Sequence, residues 1–176
     1  MKKYDKKKII TIAVQLGAIA LLVAIDLIIK KIVVDNIALY EKIGFIDGLY
    51  GWTYIQNTGV AWGNFNSNPQ LLSVFTGVII AAGLVYLALP AKRPLFYDIC
   101  IPLIIAGGLA NTIDRVYRGF VVDYIQTLFV NFPVYNFADI LVVCGAFLLA
   151  FYLIYEIIRD AKAEKMKKLN EGTKGE

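Results

Sequence analysis

The sequence predicts an α-helical integral membrane protein: four transmembrane helices carrying a small extracytoplasmic β-sheet platform. Three observations carry that prediction. Of the 176 residues, 59% are hydrophobic and only 18% are charged, whereas soluble domains hold roughly 45–50% and about 25%. Four apolar segments each come near the ~20 residues a helix needs to cross a hydrocarbon core. The basic residues gather at the two ends and in one short loop. The mean hydropathy of +0.63 agrees with this reading. The net charge of +4 therefore concerns orientation in a bilayer, and no nucleic-acid partner is expected.

Taken in order, the first apolar segment covers residues 9–34 and is uncharged up to Asp26. Its Lys-rich start resembles a secretion signal, but the run is long and no small-x-small cleavage site follows, so it is expected to be retained as a span. Residues 35–68 are not a span. Strand-like residues 49–55 alternate there with turn residues such as Gly44, Asp47, Gly48, Asn57, Gly59 and Gly63, which reads as a partly extended platform. Trp52, Tyr54, Trp62 and Phe65 are expected along its membrane-lying edge. The second and third segments, residues 71–89 and 95–113, flank Pro90, Lys92, Arg93 and Pro94 and form a tight hairpin. The loop 115–133 has a β-rich stretch at 120–125 and aromatic residues suited to the interface. The fourth segment covers residues 137–158. Residues 1–160 are read as one domain, followed by a charged cytoplasmic tail, 161–176, expected to fray.

Of the 18 Lys and Arg, 13 lie at the N-terminus, in the Lys92–Arg93 loop and beyond residue 158. The positive-inside rule then puts both termini in the cytoplasm. Asp114, closing the third segment, and Asp139, opening the fourth, fall on the outer side. Asp26 lies 17 residues past Ile9, about 26 Å along a helix at ~1.5 Å per residue, and joins them there.

Acids at a membrane edge are functional candidates, because a carboxylate beside lipid is costly. Asp114 and Asp139 each follow an asparagine by three residues, Asn111 and Asn136, a spacing that shares one helical face. The chain has no histidine, which removes Ser–His, Cys–His and His-ligated metal chemistry together. Cys100 and Cys144 lie in apolar runs without CxxC spacing and read as small buried hydrophobes. No metal and no cofactor is called for. Spacing alone leaves two readings open. The acids share a proton and activate water, or each is solvated or paired with a basic neighbour such as Arg115. Asp26 and Lys30 form an i,i+4 ion pair. Asn57 is either a turn residue or a substrate holder. Arg115 either meets an anion or snorkels at the helix end.

Five motifs occur in register: Asp26-x-x-x-Lys30; Asn57-Thr58-Gly59-Val60-Ala61-Trp62-Gly63; Asn111-x-x-Asp114-Arg115; Val121-Val122-Asp123-Tyr124-Ile125; and Asn136-Phe137-Ala138-Asp139. In order and spacing the chain resembles lipoprotein signal peptidase (signal peptidase II). The resemblance implies a multi-pass aspartic endopeptidase of the bacterial cell membrane, with its site at the outer face. Such an enzyme removes the signal peptide of diacylglyceryl-modified prolipoproteins just before the lipidated cysteine and is inhibited by globomycin. It implies Asp114 and Asp139 as the catalytic pair, with Asp26, Lys30, Asn57, Gly59, Asn111, Arg115 and Asn136 binding substrate or supporting the site. Membrane lipids are expected partners and the enzyme is expected to act as a monomer. Ala110, Trp62, Leu27 and Ile140 depart from the family's usual residues without removing an implied catalytic group. A proton or ion relay would use the same acids, but should hold them deeper and in repeated halves; a purely structural subunit would tolerate their loss.

Overall fold

The computed structural model describes residues 6–59, 69–89 and 93–172. Expectations for Lys2, Lys3, Val60, Ala61, Trp62, Gly63, Phe65, Pro90 and Lys92 lie outside those residues. Helix α1 (Lys6–Asn36) leads into strands β1 (Lys42–Ile46) and β2 (Tyr50–Asn57). Helices α2 (Pro69–Ala88) and α3 (Leu95–Arg118) follow, then strand β3 (Val121–Thr127) and helix α4 (Phe137–Gly172). By length and composition α1, α3 and α4 are long and apolar enough to cross a membrane; α2 is a shorter apolar helix over Leu72–Ala88. All four expected helices are present. Two of them outrun their apolar segments: α3 continues a turn past Asp114, and α4 carries the charged tail, expected to fray, as helix to Gly172.

Helix α3 is central and packs on each of the other three. Without a hydrophobic drive between helices in lipid, association relies on close approach at small residues. A Cβ added at Gly107 would overlap the Ala138 carbonyl oxygen, and one at Gly145 would come 2.9 Å from the Cys100 carbonyl oxygen. These glycines set the α3–α4 separation, and Ala138 directly precedes Asp139. Gly107→Ala is therefore expected to cost roughly 1–3 kcal/mol by overpacking. It should lower the thermal unfolding midpoint in detergent; an unchanged midpoint would show that the helices separate freely.

The platform is an antiparallel sheet in the order β1-β2-β3. Asn57 ends β2 opposite Val121 at the start of β3, so the register carries an asparagine to the strand that holds Asp123. The inner face packs Val33 of α1 with Tyr54, Val122 and Tyr124. This corrects the expectation for Tyr54, which is 7% exposed and accepts a hydrogen bond from Gln56 at 2.9 Å. Trp52 is half-buried, stacked on Tyr124. Exposed aromatics near the platform include instead Tyr40, Phe45, Phe129 and Phe132, because the strand face carrying Tyr54 is the one that covers α1. Cys100 is buried as expected; Cys144 is exposed, since its face of α4 turns away from α3.

Candidate active site

Where the strands meet the bundle, two polar clusters share one asparagine, Asn111. The first is an ion cluster. Lys30, fully buried, lies 2.8 Å from Asp26 and 3.1 Å from Asp114 and donates to Asn111 Oδ1 at 2.8 Å. Asp114 also takes Arg118 at 3.0 Å and the Val122 N–H at 3.2 Å. Two carboxylates thus meet two cations, and the buried charge closes to zero. The i,i+4 pair of Asp26 and Lys30 forms, but inside the protein rather than at a solvated edge. Asn111 and Asp114 do share a helical face, and both turn it to Lys30.

The second cluster gathers round the first turn of α4. Asn136 caps that helix. Its Oδ1 accepts the Asp139 N–H at 3.0 Å, and the Asp139 carboxylate accepts the Asn136 N–H at 3.0 Å, a reciprocal capping box. The next two N–H groups are also satisfied, Phe137 by the Tyr124 hydroxyl at 3.1 Å and Ala138 by Asp26 at 2.9 Å. Groups from α1, β3 and α4 thereby hold the turn that bears Asp139. Asn111 Nδ2 donates to its other oxygen at 2.8 Å.

The carboxyl that faces this turn belongs to Asp123, not Asp114. Asn136 Nδ2 donates to Asp123 Oδ1 at 2.7 Å, so one asparagine holds both Asp123 and Asp139. Asn57 Nδ2 donates to the other Asp123 oxygen at 2.8 Å while its Oδ1 accepts the Gly59 N–H at 2.9 Å. Burial, then the charge of Asp139, push the Asp123 carboxyl up to about 7 against the hydrogen bonds of Asn57 and Asn136. A cleft of about 580 Å³ is lined by Asn57, Gly59, Arg115, Asp123 and Asp139 at its polar end and by Val130, Phe132, Ile140 and Val143 beyond. Arg115 points into it rather than snorkelling out, and its Nε is buried without a hydrogen-bond partner among the described residues. A second cleft of about 340 Å³, between α2 and α4, shares Arg115, Asp139 and Val143 with the first and is otherwise lined by Asn111, Thr76 and mostly apolar groups such as Phe75 and Ile79.

The expected pairing of Asp114 with Asp139 is thus not the one the geometry favours. Asp114 lies in the last turns of α3, where the helix dipole disfavours an anion, and Lys30 and Arg118 compensate it. Asp139 lies in the first turn of α4, where the dipole favours one. The two Asn-x-x-Asp quartets look alike in sequence and occupy opposite helix ends. Asp123 was the residue missed as a catalytic candidate. Its signal was an acid inside an otherwise apolar strand, Val121-Val122-Asp123-Tyr124-Ile125, where a carboxylate needs dedicated partners.

Comparison with known proteins adds sequence-wide likeness. A family model described as signal peptidase (SPase) II matches residues 18–155. A lipoprotein signal peptidase of Enterococcus faecalis is 39% identical over 147 residues, covering 83% of this chain and 88% of the relative. One of Lactococcus lactis subsp. lactis is 37% identical over 144 residues, covering 82% and 92%. Two solved structures, both titled as bacterial membrane enzymes determined by the in meso method, superpose with TM-scores of 0.77 and 0.73 at 28% and 29% identity. The first covers 82% of this chain and 90% of its own; the second covers 80% and 92%.

Proposed function

Because the chain belongs to the signal peptidase II family, and is thus an aspartic peptidase of a bacterial membrane that removes signal peptides from prolipoproteins, we propose that Asp123 and Asp139 are its catalytic pair. One observation carries this: Asn136 hydrogen-bonds both carboxyls at the polar end of a single cleft. Charge supports it. Asp26 and Asp114 are balanced by Lys30 and Arg118, whereas Arg115 is the one cation lining the cleft with Asp123 and Asp139 among the described residues, so the pair is neutralised by holding one proton between them.

Asp123, raised to about 7, carries that proton below neutral pH, and Asp139, with two donors and a helix N-terminus behind it, is the carboxylate. A water held between them loses a proton to Asp139 as its oxygen attacks the scissile carbonyl carbon. Asp123 gives its proton to the carbonyl oxygen. Collapse of the tetrahedral intermediate breaks the C–N bond: the leaving amine takes the proton that Asp139 received, and a hydroxyl of the gem-diol returns its proton to Asp123 as the product carboxyl forms. Asn57, Gly59 and Arg115 line the cleft where the substrate chain and the developing charge would lie. Asp26 and Lys30 support the site by fixing α3 and the start of α4, and Asp114 joins them in that role.

The substrate is a diacylglyceryl-modified prolipoprotein cut just before its lipidated cysteine. The apolar cleft between α2 and α4 offers its chains a path that stays in the lipid. Globomycin would occupy the same clefts. The site faces the outer side and both termini the cytoplasm, an orientation that the Lys and Arg distribution supports. Every group named comes from one chain, so a monomer suffices, and residues 1–160 form the working domain. Incubating the purified enzyme with a diacylglyceryl-modified precursor peptide should give one cut before the modified cysteine, blocked by globomycin. Cleavage of the unmodified peptide at the same rate would refute the substrate assignment.

A pH profile tests the proton assignment. A carboxyl raised to about 7 is protonated below that value and loses its proton above it. The general acid is therefore depleted as pH rises, and kcat should fall on an alkaline limb with its midpoint near 7. A rate that holds level far into the alkaline range would remove Asp123 from the role of acid.

A further inference from the structure

We propose that the end of α4 remote from the site is a docking surface for anionic phospholipid headgroups. Residues 137–158 are apolar and span about 33 Å at ~1.5 Å per residue, which the hydrocarbon core of about 30 Å accommodates. From Arg159 the helix leaves that core and continues to Gly172, about 21 Å further. The side chains of residues 159–168 are all exposed. This extension lies outside the region matched by the family model, which stops at residue 155, so the reaction common to the family does not account for it.

Its charge is patterned. Arg159, Lys162, Lys165 and Lys168 recur every third residue, which places neighbours side by side on the helix surface. Arg159 is paired with Asp160 at 2.8 Å, and Lys168 with Glu164 at 2.7 Å. Lys162 and Lys165, between them, have no ion pair among the described residues. Helical side chains lean toward the N-terminus, and here the N-terminal direction points back to the membrane. The two lysines therefore reach toward headgroup phosphates rather than away from them. The start of α1 lies at the same end of the bundle, because the far end of α1, at Asp26, touches the start of α4 at Ala138. Lys6 and Lys7, both exposed, add to the same positive field.

An anionic lipid surface is the occupant this arrangement fits: the ladder is tethered beside it by its own span, and its charge is complementary. Because α4 is one helix with Asp139 in its first turn, a lipid clamp on the extension also sets the depth of the site. The inference does not depend on which acids run the reaction.

The test is amide hydrogen exchange of the full-length protein in nanodiscs of phosphatidylcholine, with and without phosphatidylglycerol. Exchange across residues 159–172 is expected to slow about tenfold when the anionic lipid is present, since each lysine near such a surface contributes appreciably. The slowing should vanish in Lys162→Gln/Lys165→Gln and at high salt. Equal exchange in both lipid mixtures would overturn the proposal. So would slowing by a soluble polyanion in detergent with none from the anionic lipid, which would assign the ladder to a cytosolic partner.

Discussion

Replacing either Asp123 or Asp139 by Asn is expected to reduce prolipoprotein processing by about a thousandfold, within the range that general acid–base catalysis supplies. The amide keeps the size of the side chain but neither gives nor takes the proton. Asn136 remains as the cap of α4, so both variants should stay folded, with thermal midpoints near that of the parent. Asp114→Asn should behave differently. It removes a countercharge from Lys30 and Arg118 and should lower the thermal midpoint, while turnover per folded molecule falls by less than about tenfold. Single-turnover cleavage of a lipid-modified precursor, together with unfolding curves, separates these outcomes. If Asp114→Asn abolished turnover at full stability while Asp123→Asn kept cleaving, the catalytic pair would revert to Asp114 and Asp139.

Lys30→Met should be the most damaging change to the fold. Lys30 and Asp26 are fully buried and Asp114 is 1% exposed. Removing the cation leaves Asp26 without a countercharge and Asp114 with Arg118 alone, and breaking such a buried pair costs about 3–5 kcal/mol. For a membrane protein of this size, that is a large share of the stability. Low folded yield and a sharply reduced thermal midpoint are expected. Adding Asp26→Asn to Lys30→Met should recover part of the loss, because one unpaired charge is removed with the cation. Lys30→Arg is not expected to rescue fully, since a planar guanidinium cannot present the compact charge that meets Asp26, Asp114 and Asn111 together. Wild-type stability in Lys30→Met would show that the carboxyls are neutral without it.

The two experiments probe one design from opposite sides. The ion cluster around Lys30 is closed in charge and joined to the α4 cap through Asn111 and through Asp26 on Ala138. The pair at the cleft is left one positive charge short, which is the condition for holding a proton between two acids. Stability and chemistry are thereby separated over a few side chains, with the asparagines carrying the connection.

Much of this was legible in the sequence. The apolar segments mark the four helices, and the turn residues mark the platform; five motifs in register carry the resemblance to the family. The helix ends were less legible. Arg115 and Arg118 form the last turn of α3 past its apolar segment, where basic residues suit the helix dipole, and Gly119 then ends it with a left-handed φ of 81°. Residue type alone suggests a membrane-lying edge for Tyr54, whereas strand alternation puts it over α1. Spacing pairs Asp114 with Asp139, whereas the fold brings Asp123 to the asparagine that caps the turn bearing Asp139.

The amino-acid sequence by itself determined that the chain enters a membrane, how many helices it offers and which acids, amides and cations gather near one edge. Those follow from hydropathy and spacing, which are local properties. Which carboxyl stands beside Asp139 was decided only by tertiary structure. Asn-x-x-Asp reads the same wherever it occurs, but its electrostatics depend on the end of the helix it occupies and on what packs against it. At the end of α3 the motif meets Lys30 from α1 and becomes part of an ion cluster. At the start of α4 it caps the helix and faces Asp123 from β3, brought there by strand register across a separation in sequence that no local pattern encodes.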